Sequence, residues 1–179
     1  MVAYPQIQTR AHKELDIVVG RARLPSFADR PHLPYTHAMV KELLRWRPSF
    51  RLSIPHVTIA DDWYEGMFVP KGTMCIPNLW QCNHQKEIYG QDADQFNPAR
   101  FLDEKGQLVS GPSDAKEEGH TSYGHGKRAC VGKHLANDSL FINIVTMLWA
   151  FRFEHEKDAN GNEIPVDVDD FAGDGQGLV

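Results

Sequence analysis

The stretch YGHGKRACVG, residues 123–132, surrounds one cysteine with three glycines and leads into a long apolar segment. Glycine is used where the backbone needs a positive φ or where another group must approach the chain closely. A free cysteine is kept for its reactivity more often than for its packing. Together these residues predict a loop that presents the thiol of Cys130 to a large, flat group.

The residues after this loop place Cys130 near the beginning of a helix. Apolar residues at helical spacing predict a long helix from Leu135 to about Ala150. The unpaired N–H groups and the positive dipole end of such a helix favour a thiolate, and Lys127 and Arg128 add positive charge. Gly132 would let a flat ring lie against the first helical turn.

The composition is that of a globular protein rather than a disordered or nucleic-acid-binding one. The chain has 179 residues, of which 41% are hydrophobic and 24% are charged, so it is long enough to bury a core. Its formal net charge of −5 argues against nucleic acid as a partner. Its three cysteines cannot all pair, and no stretch resembles a secretory signal, so we expect a cytosol-facing location.

The two ends of the sequence have unusual patterns. A helical pattern begins almost at the first residue, and the sequence stops at GDGQGLV without a capping element. We therefore expect a chain truncated at both ends. No apolar run is long enough for a membrane anchor within this chain, which is compatible with membrane association of a longer protein.

The hydrophobic pattern predicts a mainly α fold with a small β region in one partial domain, residues 1–179. The predicted segments are helices in 1–47, the β region in 48–77, an irregular segment and loop in 78–122, the cysteine loop and long helix in 123–150, and a hairpin and truncated tail in 151–179.

Three of these predictions are specific enough to compare with a structure. Gly20 follows an apolar stripe, which predicts a first helix from about Tyr4 to Val19. The segments HVTIA and MFVP are predicted as β segments on either side of DDWYEG, with a turn at Glu65-Gly66. The polar, glycine-containing residues 103–122 are predicted to form an exposed loop.

The cysteine loop matches a long signature. The pattern Tyr123-x-x-Gly126-x-Arg128-x-Cys130-x-Gly132 resembles the FxxGxRxCxG signature of the cytochrome P-450 superfamily, the haem-thiolate monooxygenases. Only its first position departs, where tyrosine replaces phenylalanine. The resemblance implies the haem-binding C-terminal part of that fold and haem b, with Cys130 as the axial iron ligand. It also implies that the other four signature residues help to bind the cofactor.

Two further segments follow the same superfamily pattern. Glu42 and Arg45 form an ExxR motif, and residues three apart on a helix can pair, although such a pair alone is weak as an indication. Arg100 lies in FNPARF, residues 96–101, which resembles the superfamily's FxPERF segment with Ala99 in place of glutamate. The resemblance implies that Glu42, Arg45 and Arg100 interlock beneath the haem loop as a structural network rather than as catalysts.

The edge of the implied haem has two candidate residues. His56 stands where members of the superfamily carry a histidine or arginine that binds a haem propionate, and the resemblance gives Arg128 the same role. The residues alone leave another reading open, in which His56 is an ordinary histidine with satisfied hydrogen bonds in a β segment.

The resemblance also implies an activity for the complete enzyme. One oxygen atom from O₂ would be inserted into a small organic substrate, with electrons from NADPH through a reductase. Lys127 and Lys133 flank the cysteine and are expected to face solvent. They are candidates for docking the reductase, and the alternative is that they are an ordinary pair of solvated lysines. The helix that covers the distal haem face is not found in this sequence, so we assign no catalytic residue and expect the chain alone to be inactive.

Three alternatives remain open on residue types. A cysteine hydrolase would use Cys130 as its nucleophile with His125 or His134 as its base. A non-enzymatic remnant of a monooxygenase would keep every assignment above. A structural zinc module lacks the tight spacing of closed sites, and its ligands would come from Cys75, Cys82, His84 and Cys130, with His134 one turn further on.

Overall fold

A computed structural model of the protein describes residues 1–109 and 118–166. The chain divides into two compact units, one of Pro34–Phe141 and the other of residues 1–33 with the chain from Ile142 onward. The middle of the predicted exposed loop, residues 110–117, and the predicted tail from residue 167 lie outside the described residues.

The described residues contain five helices of 4 to 18 residues and four strands of two or three residues. The helices are α1 (Pro5–Val18), α2 (Pro34–Trp46), α3 (Leu79–Asn83), α4 (Lys86–Tyr89) and α5 (Lys133–Ala150). The strands are β1 (His56–Val57), β2 (Asp62–Tyr64), β3 (Met67–Val69) and β4 (Met74–Cys75). 3-10 segments lie at Phe27–His32, Pro98–Phe101 and Gly126–Arg128.

The ends of α1 follow from local sequence. Ile7, Ala11 and Leu15 lie at helical spacing and are buried, so they form the inward face of an amphipathic helix. Gly20 then takes a φ of +69°, which ends the helix at a conformation that side chains with a Cβ rarely adopt. The helix predicted from Tyr4 to Val19 is therefore confirmed as Pro5–Val18.

Two prolines set the limits of α2. Pro34 occupies the first helical position, where its missing N–H is not needed. Pro48 follows the last turn and has no N–H to donate to the carbonyl of Leu44 four residues earlier. The buried positions of α2 include Glu42 and Arg45 as well as apolar residues, so the core of this unit contains charge.

The β region consists of two antiparallel two-stranded sheets. β1 pairs with β4, with His56 opposite Cys75, and β2 pairs with β3. The turn at Glu65-Gly66 is confirmed, with φ values of +46° and +80°. The prediction was wrong in one respect, because part of DDWYEG forms strand β2 rather than only a connection. Its aromatic residue Trp63 packs on Phe68 of β3, with ring centroids 5.2 Å apart.

The predicted exposed loop over 103–122 is wrong at its C-terminal end. His120 and Thr121 are 3% and 9% exposed. The polar composition was misleading because Thr121 and its neighbour Ser122 form hydrogen bonds inside the unit, where burial costs little once donors and acceptors are paired. The N-terminal part behaves as predicted, since residues 103–105 are exposed.

The predicted hairpin near Asn160-Gly161 is reduced to one bridge. Lys157 pairs with Glu163 in an isolated antiparallel bridge. The carboxylate of Asp158 closes the turn by accepting the N–H groups of Asn160 at 2.8 Å and Asn162 at 2.9 Å. A side-chain hydrogen bond from Asn162 Nδ2 to Asp158 Oδ2 at 3.0 Å, followed by these backbone bonds, holds the pKa of Asp158 below its usual value.

The buried apolar side chains are divided between the two units. In the first unit they are Ile7, Ala11, Leu15, Val19, Leu33, Val145 and Leu148. In the second they are Tyr35, Ala38, Met39, Val40, Leu44, Leu79, Tyr89, Ala93, Phe96, Phe101 and Phe141. A helical chain with two small sheets agrees with the expected fold class. Among the described residues, no helix is both long and apolar enough to span a bilayer.

Candidate functional site

The cysteine loop is closed by one backbone hydrogen bond. The N–H of Cys130 donates to the carbonyl oxygen of Tyr123 at 2.8 Å, which joins the two ends of the loop. Gly124 and Gly126 have φ values of +72° and +60°, a backbone conformation that strains any other residue. The thiol of Cys130 is free and exposed, so this backbone path turns the cysteine toward the surface.

Helix α5 begins immediately beyond the cysteine. The N–H of Lys133 lies 3.4 Å from the carbonyl oxygen of Cys130, and Ala136 N–H donates to the carbonyl of Gly132 at 2.9 Å. A Cβ added at Gly132 would lie 3.9 Å from the cysteine sulfur. The sulfur therefore lies beside the glycine that precedes the first turn of α5.

The tyrosine that departs from the signature forms a hydrogen bond that phenylalanine could not make. Tyr123 Oη donates to Asn137 Oδ1 at 2.7 Å, and Asn137 Nδ2 donates to Glu118 Oε2 at 3.0 Å. Burial and the nearby Glu118 carboxylate raise the pKa of Tyr123 to about 12. The phenol is therefore a neutral donor at ordinary pH, and it ties the cysteine loop to α5.

A fully buried ion pair lies within α2. Arg45 Nε donates to Glu42 Oε2 at 2.6 Å, and Arg45 Nη2 donates to Glu42 Oε1 at 2.8 Å. Both side chains have no solvent exposure. The pair therefore has two parallel charge-assisted hydrogen bonds, the strongest arrangement available to these groups.

The remaining donors of Arg45 are also used. Its Nη1 donates to the carbonyl oxygens of Asn83 at 2.7 Å and Ala93 at 2.8 Å, and its Nη2 donates to that of Gln95 at 3.0 Å. A guanidinium has five N–H donors, and all five have acceptors here. The segment 83–95 is thus wrapped around one buried cation.

Arg100 joins the same cluster. Its Nε donates to Glu42 Oε1 at 3.4 Å, and its other donors reach the carbonyl of Tyr89 and both the backbone and the carboxylate of Asp92. The structure therefore brings Glu42, Arg45 and Arg100 together, as the ExxR and FNPARF motifs predicted. Asp92 supplies the second negative charge, so two cations face two anions.

Two residues of this cluster were not identified from the sequence. The N–H of Asn97 donates to Glu42 Oε1 at 2.7 Å, and its Nδ2 donates to Asp92 Oδ2 at 3.0 Å. The hydrogen bond from Asn97, followed by that from Arg100, holds the pKa of Asp92 below its usual value. A signal for Asn97 was present, since it lies inside FNPARF. Asp92 has no local pattern that distinguishes it from an exposed turn residue.

The two residues expected at the haem edge are on separate segments. His56 is in β1, and Arg128 ends the 3-10 turn Gly126–Arg128. Both side chains are exposed, so each is accessible to an anionic group. Among the described residues, no contact is seen between His56 and Arg128.

The comparisons with known proteins agree with these motifs. The family model for cytochrome P450 matches residues 1–167. The chain belongs to the cytochrome P450 family. Similar proteins include two cytochrome P450 monooxygenases of Armillaria gallica, 56% and 51% identical, and cytochrome P450 monooxygenase 58 of Postia placenta, 47% identical. Each alignment covers 98% of this chain and 33–34% of the relative. The chain therefore spans about a third of the length of these relatives.

One of the two lysines beside the cysteine loop is less exposed than the sequence predicted. Lys127 is exposed. Lys133 was expected to face solvent, but its side chain is only 27% exposed and its Nζ lies 3.7 Å from Glu118 Oε1. Lys133 is held away from solvent because Glu118, whose carboxylate is fixed by a hydrogen bond from Asn137, provides a nearby anion.

The geometry gives no support to the two alternative chemistries. Within residues 1–109 and 118–166, no three His, Cys, Asp or Glu side chains are placed to hold a metal ion. The same residues show no hydrogen bond between the sulfur of Cys130 and His125 or His134, as a catalytic dyad would need. All three side chains are exposed instead.

We predict that Glu42→Ala and Arg45→Ala each destabilise this P450 chain by about 3–5 kcal/mol, because either change leaves an unpaired charge in the interior. The measurement is the free energy of unfolding from urea titrations of the purified variants. Asp16→Ala is the matched control, since its ion pair with Arg21 has a similar length of 2.8 Å but is 51–59% exposed. That control should cost no more than about 1 kcal/mol. Equal losses in the exposed and buried pairs would contradict the prediction.

Proposed function

We propose that this chain is the haem-binding, C-terminal part of a cytochrome P450 monooxygenase that uses O₂ and NADPH to oxidise a small organic substrate. The observation that carries this function is the exposed thiol of Cys130, held by a glycine loop just before α5. The complete enzyme would include the regions of the relatives that this chain does not span.

The surroundings of Cys130 fit a haem. A Cβ added at Gly124 or Gly126 would meet no atom within 4 Å, so the loop leaves open space. Val131 and Leu135 are 99% and 72% exposed, which puts apolar side chains close in sequence to the thiol. An accessible sulfur in an open loop with apolar neighbours suits a flat and largely hydrophobic macrocycle.

In this proposal the Cys130 thiolate would bind the iron of the haem. When bound, the haem supplies the activation of O₂ and the transfer of one oxygen atom to the substrate. The chain's contribution is to hold the ligand. The hydrogen bond from Cys130 N–H to the Tyr123 carbonyl fixes the backbone at the sulfur, and Lys127 and Arg128 place positive charge close to it in sequence.

The remaining loop residues and His56 have supporting roles in this proposal. Gly126 and Gly132 allow the macrocycle to approach the backbone, and the hydroxyl of Tyr123 anchors the loop to α5. Arg128 and His56 each bind a propionate carboxylate, for which an exposed guanidinium and an exposed imidazole are suitable partners. Glu42, Arg45 and Arg100 act as a folding element.

We predict that Cys130→Ser abolishes the thiolate-type Soret band of the reduced, carbon-monoxide-bound holoprotein, because serine does not provide the thiolate ligand. The measurement is the difference spectrum after haem reconstitution of the purified protein. Cys75→Ser and Cys82→Ser are matched controls that make the same replacement elsewhere and should keep the band. A thiolate-type band in Cys130→Ser would refute the ligand assignment.

We predict that His56→Ala releases haem about fivefold faster than the parent protein, because one of two propionate contacts is lost while Arg128 remains. The measurement is the rate of haem transfer to excess apomyoglobin. His32→Ala, which removes another exposed histidine, is the control and should leave the rate unchanged. An unchanged rate in His56→Ala would favour the reading of His56 as an ordinary strand histidine.

The partner in this proposal is an NADPH-dependent reductase that docks near the cysteine loop. Lys127 is the exposed basic residue three positions before the thiol, whereas Lys133 is engaged with Glu118. An acidic donor surface would be attracted to Lys127 in particular, and such attraction mainly affects the rate of association.

We predict that Lys127→Glu lowers the rate of the first electron transfer roughly two- to tenfold at low salt, and less at high salt because ions screen the attraction. The measurement is stopped-flow reduction of a complete monooxygenase, built by placing this chain in the matching third of the 56% identical Armillaria gallica relative. Lys105→Glu makes the same charge change at another exposed site. Equal rates for the two variants would contradict docking at Lys127.

A further inference from the structure

We propose that Asn83 is a positioning residue that fixes the chain leading into the cysteine loop, and thereby sets the orientation of the Cys130 thiolate. This inference rests on the proposed haem-thiolate function. Asn83 is separated in sequence from both the ExxR motif and the cysteine signature, and it belongs to neither. Its place in the hydrogen-bond network nevertheless connects the two.

The side chain of Asn83 is fully buried and bonded at both ends of its amide. Its Oδ1 accepts the N–H of Thr121 at 2.8 Å and the hydroxyl of Thr121 at 2.9 Å. Its Nδ2 donates to Ser122 Oγ at 2.8 Å. Asn83 has no solvent exposure, and a buried amide that is only partly bonded would be costly. One side chain therefore bonds both residue 121 and residue 122.

Ser122 connects the side-chain amide of Asn83 to a backbone carbonyl at the end of α2. Its hydroxyl accepts from Asn83 and donates to the carbonyl oxygen of Leu44 at 2.6 Å. In a continuing helix that carbonyl would accept the N–H of residue 48, but residue 48 is proline and has none. The proline that ends α2 thus leaves one carbonyl free, and Ser122 satisfies it.

The backbone of Asn83 is held by the buried ion pair. Its carbonyl oxygen accepts Arg45 Nη1 at 2.7 Å. One residue therefore bonds the cluster through its backbone and bonds Thr121 and Ser122 through its side chain. The next residue, Tyr123, provides the carbonyl that accepts the N–H of Cys130. The chain of hydrogen bonds runs from Arg45 through Asn83 to the peptide that closes the cysteine loop.

Replacement by aspartate keeps the shape of Asn83 but removes its donor. The hydroxyl of Ser122 has one hydrogen, and it would then face two acceptors, the new carboxylate and the carbonyl of Leu44. One of these acceptors must go unpaired inside the unit. The segment before the loop should loosen, while the direct contacts of Glu42 with Arg45 remain in place.

The first measurement is amide hydrogen exchange of the purified haem-free chain. In Asn83→Asp we expect exchange at Thr121 and Cys130 to increase about tenfold, because the segment that carries Thr121 and the Tyr123 carbonyl opens more often once Ser122 loses the donor of residue 83. Asn78→Ala is the matched control, since Asn78 caps the same short helix through a 3.0 Å bond to Gln81 N–H but makes no contact with residues 121 or 122. It should leave both amides within about twofold of the parent.

The second measurement is spectroscopic. In the reduced, carbon-monoxide-bound holoprotein, the fraction of thiolate-type Soret band should fall in Asn83→Asp and stay at the parental value in Asn78→Ala. A general loss of stability in the α3 region would affect both variants alike. If the parent itself lacks this band, the haem-thiolate function fails, and the exchange measurement still decides whether Asn83 holds the loop.

Two further variants keep the test decisive if Asn83→Asp does not fold. Thr121→Val removes the hydroxyl bond to Asn83 but keeps the shape and the N–H, and Ser122→Ala removes the bonds to Asn83 and Leu44. Faster exchange at Cys130 in both would support the proposal. Parental exchange at Cys130 in these variants, or in a folded Asn83→Asp protein, would overturn it.

Discussion

A carboxylate and a guanidinium three residues apart on α2 are completely removed from water. Desolvating two such charges costs several kcal/mol each, and their attraction compensates only if every remaining donor and acceptor is bonded. Arg45 meets that condition by taking three backbone carbonyls from residues 83, 93 and 95, and Glu42 meets it by accepting from Arg100 and the backbone of Asn97. The path of the chain from 83 to 100 follows from these needs.

The cysteine loop is connected indirectly to the charged cluster around Glu42 and Arg45. Asn83 carries the constraint from Arg45 to the residues that precede Tyr123, and Pro48 makes the carbonyl of Leu44 available to hold Ser122. A second connection comes from the other side, through the hydroxyl of Tyr123 and Asn137 on α5. The loop is therefore bonded at its entry and near its exit, while the thiol of Cys130 stays exposed.

The same bonds explain which charges remain accessible. Glu118 accepts from Asn137 and lies beside Lys133, and its backbone carbonyl accepts Lys41 Nζ at 3.0 Å. These groups are engaged within their own unit. Lys127 and Arg128 are left exposed beside the thiol, in a chain with a formal net charge of −5. A local positive surface can therefore exist on an acidic protein.

The sequence by itself determined the features that depend on near neighbours. Gly20, Pro34 and Pro48 set helix limits through backbone freedom and missing N–H groups, and the ExxR and cysteine motifs identified the family. Only the tertiary structure decided that Thr121 is buried and Ser122 half-buried, that Lys133 is engaged by Glu118, and that Asn83 joins two motifs. The side chain of Asn83 meets Thr121 across 38 residues, and a hydrogen bond between residues so far apart has no local pattern. Polar residues predict exposure until folding provides their partners, because burial is favourable only once those hydrogen bonds form.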